Sequence, residues 1–521
     1  MEDLTLTSLP LELILKIYST LDWKTLLVCR QVCSLFRSII ESSARAQYDI
    51  ELAVYGMMDG PPSPLTASDR LALLKERNAA WEALEWKASN DLSMQQGHLW
   101  ELCGGVFAQS SPSNLLHLRQ LPSEYRNIKE KSWHVALDVH VRDFTIDPAQ
   151  DLLVLIEQPP LFPNPNEIEQ QIRIHLRSLT TGDNHRLAPK PATLVHDFDV
   201  RGAMPTYTLQ VCGNLLGVYL MSYGPPDPEL TVWNWTTGEV ILTRLGPEVM
   251  TFAFLSSRFL LVGSIVDIET DNTGPRLYVL DMTQSSSEKI LLTADYFCSF
   301  AWPQFNAWTN PVGFSIRSDP SPAWQPNPEA RVPFSIAHRH RLFIITFCVI
   351  TSEGRESSHD LFVPADTLLS HIEALPTATA PRDITWDEWG PTGTRLMQTP
   401  PSSPWVCYVF GTKFATLASR TRLYPDTLEV RDFNQLAMKR AAESTKKLAS
   451  EDEISQHVYN SSVIKAGEFL YDVRTSLPYR VTRRSLPHSF TQHFLTAAVM
   501  CSEDNLILVD SNHRHLQVLT F

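Results

Sequence analysis

Apolar and polar positions follow two different rhythms along this chain, and the change of rhythm divides it. Residues 9–40 place apolar side chains three and four apart, at Leu9, Leu13, Ile17, Leu21, Leu26, Val32, Phe36 and Ile40, which predicts two or three short helices. Ser8 is placed to cap the first, with Pro10 in its first turn and Glu12 near its positive end; Asp22 is placed to cap the second. The first helix carries two apolar stripes, Leu11, Ile14, Leu15 and Tyr18 on one and Leu9, Leu13 and Ile17 on the other. A unit of roughly 40 residues has too little interior to hide both, so one stripe needs an outside surface. After a break at DGPPSP (59–64), a second helical pattern runs from residue 66 to about residue 89, with Asp69 or Ser68 as N-cap.

From residue 97 onward the spacing changes to alternation, and a phrase repeats. IHLRSLTTGD (174–183) aligns without a gap on LTVWNWTTGE (230–239), and LHLRQL (116–121) echoes the first. Related patterns begin at Leu277, Leu428 and Leu516, with a fainter one at Leu361. Each follows another apolar run of strand length, such as WELCGGVFA, DLLVLIE, NLLGVYLM, RFLLVGSIV and NLILVD. Repeated antiparallel meanders cannot bury both faces alone, and stacking them radially supplies the cover, so the pattern predicts a β-propeller of about seven degenerate blades. A tandem of two-sheet sandwiches remains open. The expected organisation is mainly β with an α N-terminus: a helical unit at 1–42, a helical connector at 43–96 and the propeller at 97–521. Proline-rich stretches at 303–333 and 376–404 and a charged stretch at 437–457 read as surface insertions. The final repeat is expected to close the ring by pairing with strands near residues 100–121.

Composition narrows the function more than it names it. A net charge of −14 over 521 residues argues against nucleic acid, which calls for a basic face. No apolar run reaches membrane-spanning length, and the acidic, interrupted start makes a poor secretory signal, so the expectation is a soluble intracellular protein, cytoplasmic or nuclear. Eight cysteines without regular spacing fit a reducing compartment, with Cys29 and Cys33 read as core thiols. His338, His340, His513 and His515 read as turn residues beside strands rather than as metal ligands. Trp386 and Trp389 suit either an exposed recognition loop or ordinary loop packing. No nucleophile elbow, phosphate loop, dinucleotide turn or zinc-protease motif is present, so neither a catalytic residue nor a cofactor or metal is expected.

The N-terminal pattern Leu9-Pro10, Glu12-Leu13, Ile17, Leu21-Asp22, Leu26, Val32-Cys33 and Phe36 resembles an F-box. Trp23 and Thr25 stand where that family often has proline and aspartate, and Phe36 replaces a frequent tryptophan, but the apolar positions persist. The match covers about 35 residues, and the rest resembles the WD-like propellers fused to F-boxes in fungi. The resemblance implies docking onto a Skp-family adaptor, and through it a cullin, by Leu9, Pro10, Glu12, Leu13, Ile14, Ile17, Leu26, Val32, Cys33 and Phe36. It further implies a substrate receptor of a ubiquitin ligase whose propeller holds an unknown protein target. An adaptor-bound scaffold without a target is the alternative, and a propeller enzyme a third class.

Overall fold

Side chains that alternate between the two faces of each strand build seven sheets, each a meander of four antiparallel strands ordered from the channel outward, to which the third, fourth and sixth sheets add a fifth strand. The computed structural model describes residue 6 and residues 9–521, except 160–170, 199–204, 222–226, 266–273, 285, 377–380, 400–406, 419–426, 445–454, 488–495 and 513. Blade 1 comprises Trp100–Cys103, Val106–Ser110, Leu115–Gln120 and Lys131–Ala136; blade 2 runs from Val141–Asp147 to Thr193–Asp197 and blade 3 from Thr206–Cys212 to Glu239–Leu245. Blade 4 runs from Val249–Phe254 to Cys298–Ala301, blade 5 from Thr309–Arg317 to Arg395–Thr399, and blade 6 from Val409–Phe410 to Tyr479–Ser485. Blade 7 takes three strands from the C-terminus, Thr496–Cys501, Asn505–Asp510 and His515–Thr520, and its outer strand, Ala88–Ser93, from before blade 1. Apolar clusters lie between consecutive blades: Leu153 and Leu155 meet Leu116 and Leu118 of blade 1, and Val154 and Ile156 meet Leu216 and Val218 of blade 3. The sheets thus cover one another's faces, with helices adding to the cover at blades 4 to 7, and mutual cover of this kind is the condition that demands a ring.

The repeated Thr-Thr-Gly phrase is the turn by which the chain leaves the third strand of blades 2 and 3. Gly182 and Gly238 take φ of +82° and +80°, a left-handed conformation that glycine adopts without strain, and their amides donate to Ser178 O and Asn234 O. The same turn residues therefore recur for a backbone reason.

The ring closes end to end, but with a different partner from the one expected. His515–Thr520 pairs with Ala88–Ser93 in six-residue register, not with strands at 100–121. The stretch expected as helical connector accordingly ends in a strand; its helix α5 (Ala67–Ala83) stops at Leu84, which is left-handed. Thr66 caps α5, and Asp69 completes a reciprocal capping box instead of serving as the N-cap.

The insertions also hold more structure than their composition suggests. Within 303–333, Thr309–Arg317 is the innermost strand of blade 5; Pro311 is accommodated because the register shifts between Pro311 and Gly313. Just before 376–404 lies helix α6 (Ala365–Glu373), and within that stretch lie helix α7 (Trp386–Gly393) and the outer strand Arg395–Thr399. Trp389 is buried there, its indole donating to Ala301 O at 3.0 Å, with Trp386 packed edge-on against it, so packing decides between the two readings of that pair. Across 437–457, helix α8 (Gln435–Ser444) buries Met438, and Ser455–Val458 adds a fifth strand to blade 6, where a surface insertion had been expected.

Candidate functional site

The N-terminal helices are α1 (Leu11–Tyr18), α2 (Trp23–Val32) and α3 (Ser34–Ser42), followed by α4 (Ala44–Tyr55). Asp22 caps α2 by accepting from Thr25 N at 2.7 Å, as its position predicted, whereas Pro10 is the N-cap residue of α1 and the expected cap Ser8 lies outside the described residues. One stripe of α1 turns inward: Ile14 and Tyr18 join Leu26, Phe36, Ile39, Ile40 and Ala46 in a small core, with Tyr18 edge-on to Phe36 at 5.9 Å. The other turns out. Leu13 is 48% exposed and Ile17 37%, in company with Val28 and Val32 of α2 at 63% and 65%.

This burial sorts the ten residues implied by the family resemblance. Leu13, Ile17 and Val32 present apolar surface, with Pro10 and Glu12 exposed beside them and Leu9 and Cys33 half-buried. Ile14, Leu26 and Phe36 do not reach the surface; their side chains hold the helices in place. Leu11, Val28 and Leu35 are exposed too, and the sequence reading did not assign them to the surface. The three- and four-residue spacing marks a residue as helical and apolar, but only the angle at which α2 and α3 pack decides which side faces out.

The helices behind this face are fastened to the propeller rather than tethered to it. Tyr48 of α4 donates to Pro333 O, Met57–Asp59 forms a strand with Phe334–Ile336, and Asn434 donates to Val54 O. Arg440 of α8 pairs with Glu51 of α4 at 2.8 Å. On α5, Arg77 reaches Asp504 of blade 7, and Trp81 stacks on Phe521 with ring centroids 4.0 Å apart.

The channel holds a group of acids that the sequence did not reveal, because its members come from three blades far apart in the chain. Glu101, Asp143, Asp147 and Asp319 line a cavity of about 270 Å³ together with Arg317. Burial pushes Glu101 up to about 8, Asp319 up to about 7 and Asp143 up to about 6, with Asp319 and Asp143 adding repulsion at Glu101. The folded ring retains protons that the unfolded chain releases in the ordinary carboxylate range, so these groups contribute stability at low pH that is lost as pH rises through about 6 to 8. Thermal melts should accordingly show a midpoint a few degrees lower at pH 8.5 than at pH 6, and Glu101→Gln should flatten that slope. An unchanged slope in the variant would remove Glu101 from the account.

Among the described residues, no group of three or more histidine, cysteine or acidic side chains is arranged to hold a metal. His338 lies in the turn before Leu342–Thr351, His340 is half-buried behind it with its imidazole pKa lowered by desolvation, and His515 opens the last strand. His513 lies outside the described residues. All eight cysteines are free thiols, Cys29 and Cys33 packing against the small helical core.

Residues 6–45 match the family model described as F-box-like. The search of curated proteins found no match. Among solved structures, cobalt-substituted apocarotenoid oxygenase from Synechocystis is similar at 10% identity over 56% of this chain and 60% of its own, with a TM-score of 0.24. Sqt1 from Chaetomium thermophilum is similar at 8% identity over 81% of this chain and 82% of its own, with a TM-score of 0.32. The chain spans about 60% of the length of the oxygenase structures, and at these scores neither likeness bears on fold or chemistry. Among the described residues, no helix is long and apolar enough to cross a membrane. From the helical match and the seven closed sheets together, the chain carries an F-box-like domain at residues 6–45 in front of a seven-bladed β-propeller.

Proposed function

We propose that this protein is the substrate-recognition subunit of a ubiquitin ligase built on a Skp-type adaptor and a cullin, with no bond chemistry of its own. F-box domains generally bind Skp-type adaptors, and the observation that carries the reading here is the outward apolar surface at Leu13, Ile17, Val28 and Val32. Exposed apolar side chains of this kind, shared by two short helices, are what a protein partner covers. The propeller would hold the target, and the fastened helices would set its distance from a ubiquitin carrier recruited through the cullin, which raises effective concentration.

The test separates docking from folding. Leu13→Asp with Val32→Asp should reduce capture of a purified Skp-type adaptor at least tenfold while leaving the melting midpoint within a degree or two, since both side chains are exposed. Leu26→Ala should instead destabilise the helical unit by about 2–5 kcal/mol, because its side chain fills the core. Undiminished capture by the double variant would rule out this surface as the docking face.

A further inference from the structure

Blade 6 sends a long excursion between its third and fourth strands, and part of that excursion lies against blade 5. The hairpin Ser462–Ile464 with Val473–Thr475 follows the outer edge of Arg395–Thr399. At one end it is fastened by Ser476 N to Pro391 O, Leu477 N to Thr394 O and Arg395 Nη1 to Asn460 O. At its tip, Asn306 N donates to Glu468 O and Leu470 N to Gln304 O, with Phe469 stacked on Phe305 at 4.9 Å. Between these anchors the hairpin stands away from the sheet edge and leaves a cavity of about 950 Å³, within the ~300–1,000 Å³ range of binding cavities.

The walls of this cleft are strand edges. Leu396 N donates to Thr475 Oγ1 and Leu396 O accepts from Ser462 Oγ, so both backbone groups of Leu396 point away from the neighbouring strand of blade 5. In an antiparallel strand the residue two positions on points the same way, which aims the amide and carbonyl of Gln398 into the cleft. The side chain of Gln398 is exposed, and its backbone bonds to no protein group among the described residues. On the floor, Glu468 is already engaged: it accepts from Ser357 Oγ and pairs with the buried His359. The mouth carries the Trp308 ring, 57% exposed, and the Arg355 guanidinium, whose nearest carboxylate is Glu353 at 3.8 Å.

The cleft also opens in the right direction. The second strand of blade 5, Leu342–Thr351, starts beside the loop that contacts α4 and ends at the turn carrying Arg355, and its ten residues span about 30 Å. A ligand at Arg355 and Trp308 would therefore sit on the side of the ring away from the helical connector.

We propose that this cleft binds an extended, acidic peptide segment of a protein target by strand addition. The peptide backbone pairs with Gln398, an acidic side chain meets Arg355 and an apolar side chain lies on Trp308. The assignment rests on the substrate-receptor reading and deepens it.

A random heptapeptide phage library panned on the purified full-length chain tests it. Enriched peptides should be acidic and should bind at least tenfold more weakly to Arg355→Glu, to Trp308→Ala and to Gln398→Pro. Proline at 398 removes the outward amide while leaving the bonds to Glu356–Pro364 intact, so it separates backbone pairing from side-chain contact. Each variant should keep the wild-type melting midpoint and adaptor capture. Absence of enrichment over an unrelated control protein, enriched peptides indifferent to all three substitutions, or self-association abolished by them would overturn the proposal. Peptides bound at the cleft by a chain that captures no adaptor would leave the cleft standing and refute the receptor reading. Adaptor capture and target ubiquitination indifferent to the three substitutions would do the reverse.

Discussion

Deleting residues 516–521 should destroy the protease resistance of the entire ring, not just of its last blade. Those residues supply a strand paired on both sides, to Asn505–Asp510 and to Ala88–Ser93. Leu516, Val518, Leu519 and Phe521 are all buried, and each large apolar side chain contributes about 1.5–3 kcal/mol of burial. Their sum alone is comparable to the 5–15 kcal/mol by which a typical domain is stable. The loss also strands partners: Trp81 of α5 forfeits the ring it stacks on, and Ala88–Ser93 loses the strand that ties it to the propeller. Limited proteolysis should then digest the truncated chain throughout residues 97–515 under conditions that leave the full chain whole. Phe521→Ala, a milder lesion, should cost about 3–5 kcal/mol. A truncated chain as resistant as the intact one would mean that closure contributes nothing to the fold.

The strand that completes this closure shows where sequence reading runs out. ASNDLS, residues 88–93, is polar, and its side chains are largely exposed, because an outer blade strand has little to cover. Alternation of apolar and polar residues marks strands whose faces differ, so a strand held chiefly by its backbone leaves no trace. Leu152–Glu157 and Asn505–Asp510, wedged between neighbouring blades, stood out for the opposite reason. Pro311 concealed the inner strand of blade 5 by the same logic: a proline argues against a central strand unless a bulge absorbs it, and the bulge exists only in the pairing. The Thr66 capping box is local chemistry, yet Ser68 and Asp69 offered competing caps until the helix start was known. In the F-box-like unit, both stripes of α1 were legible. That Leu26 and Phe36 turn inward while Val32 turns outward depends on helix packing, which no local pattern encodes. The cleft of blade 5 and the channel acids were illegible because each is assembled from segments far apart in the chain.

Arg77→Met should destabilise the full chain by about 3–5 kcal/mol, although the substitution removes a charge and keeps much of the side-chain volume. Arg77 of α5 bonds Asp504 through Nε at 2.7 Å and donates through Nη2 to Glu503 O, in a site where both side chains are almost wholly enclosed. Arg126, from the loop of blade 1, holds the other oxygen of Asp504 and pairs with Glu503 at 2.8 Å, while Ser123 donates to Asp504 at 2.6 Å. Burial opposes the charge on Asp504, but Arg126 and Arg77 overcome it and hold the carboxyl well below the usual carboxylate range. Without Arg77, the buried acids Glu503 and Asp504 share a single guanidinium, and an uncompensated buried charge is what makes such a lesion severe. The variant's deficit should shrink in acid, because burial raises the pKa of a carboxyl that has lost the Arg77 guanidinium and lets it protonate as pH falls toward 4, while the paired wild-type carboxyl stays ionised. Denaturant melts at pH 7 and pH 4 measure both effects, and equal midpoints for variant and wild type at pH 7 would show that the network carries no stability. The site joins α5, blade 1 and blade 7 at the seam of the ring. Its loss therefore loosens the F-box-like helices from the propeller, so, under the proposed receptor role, the same variant should capture adaptor normally yet position a bound target poorly.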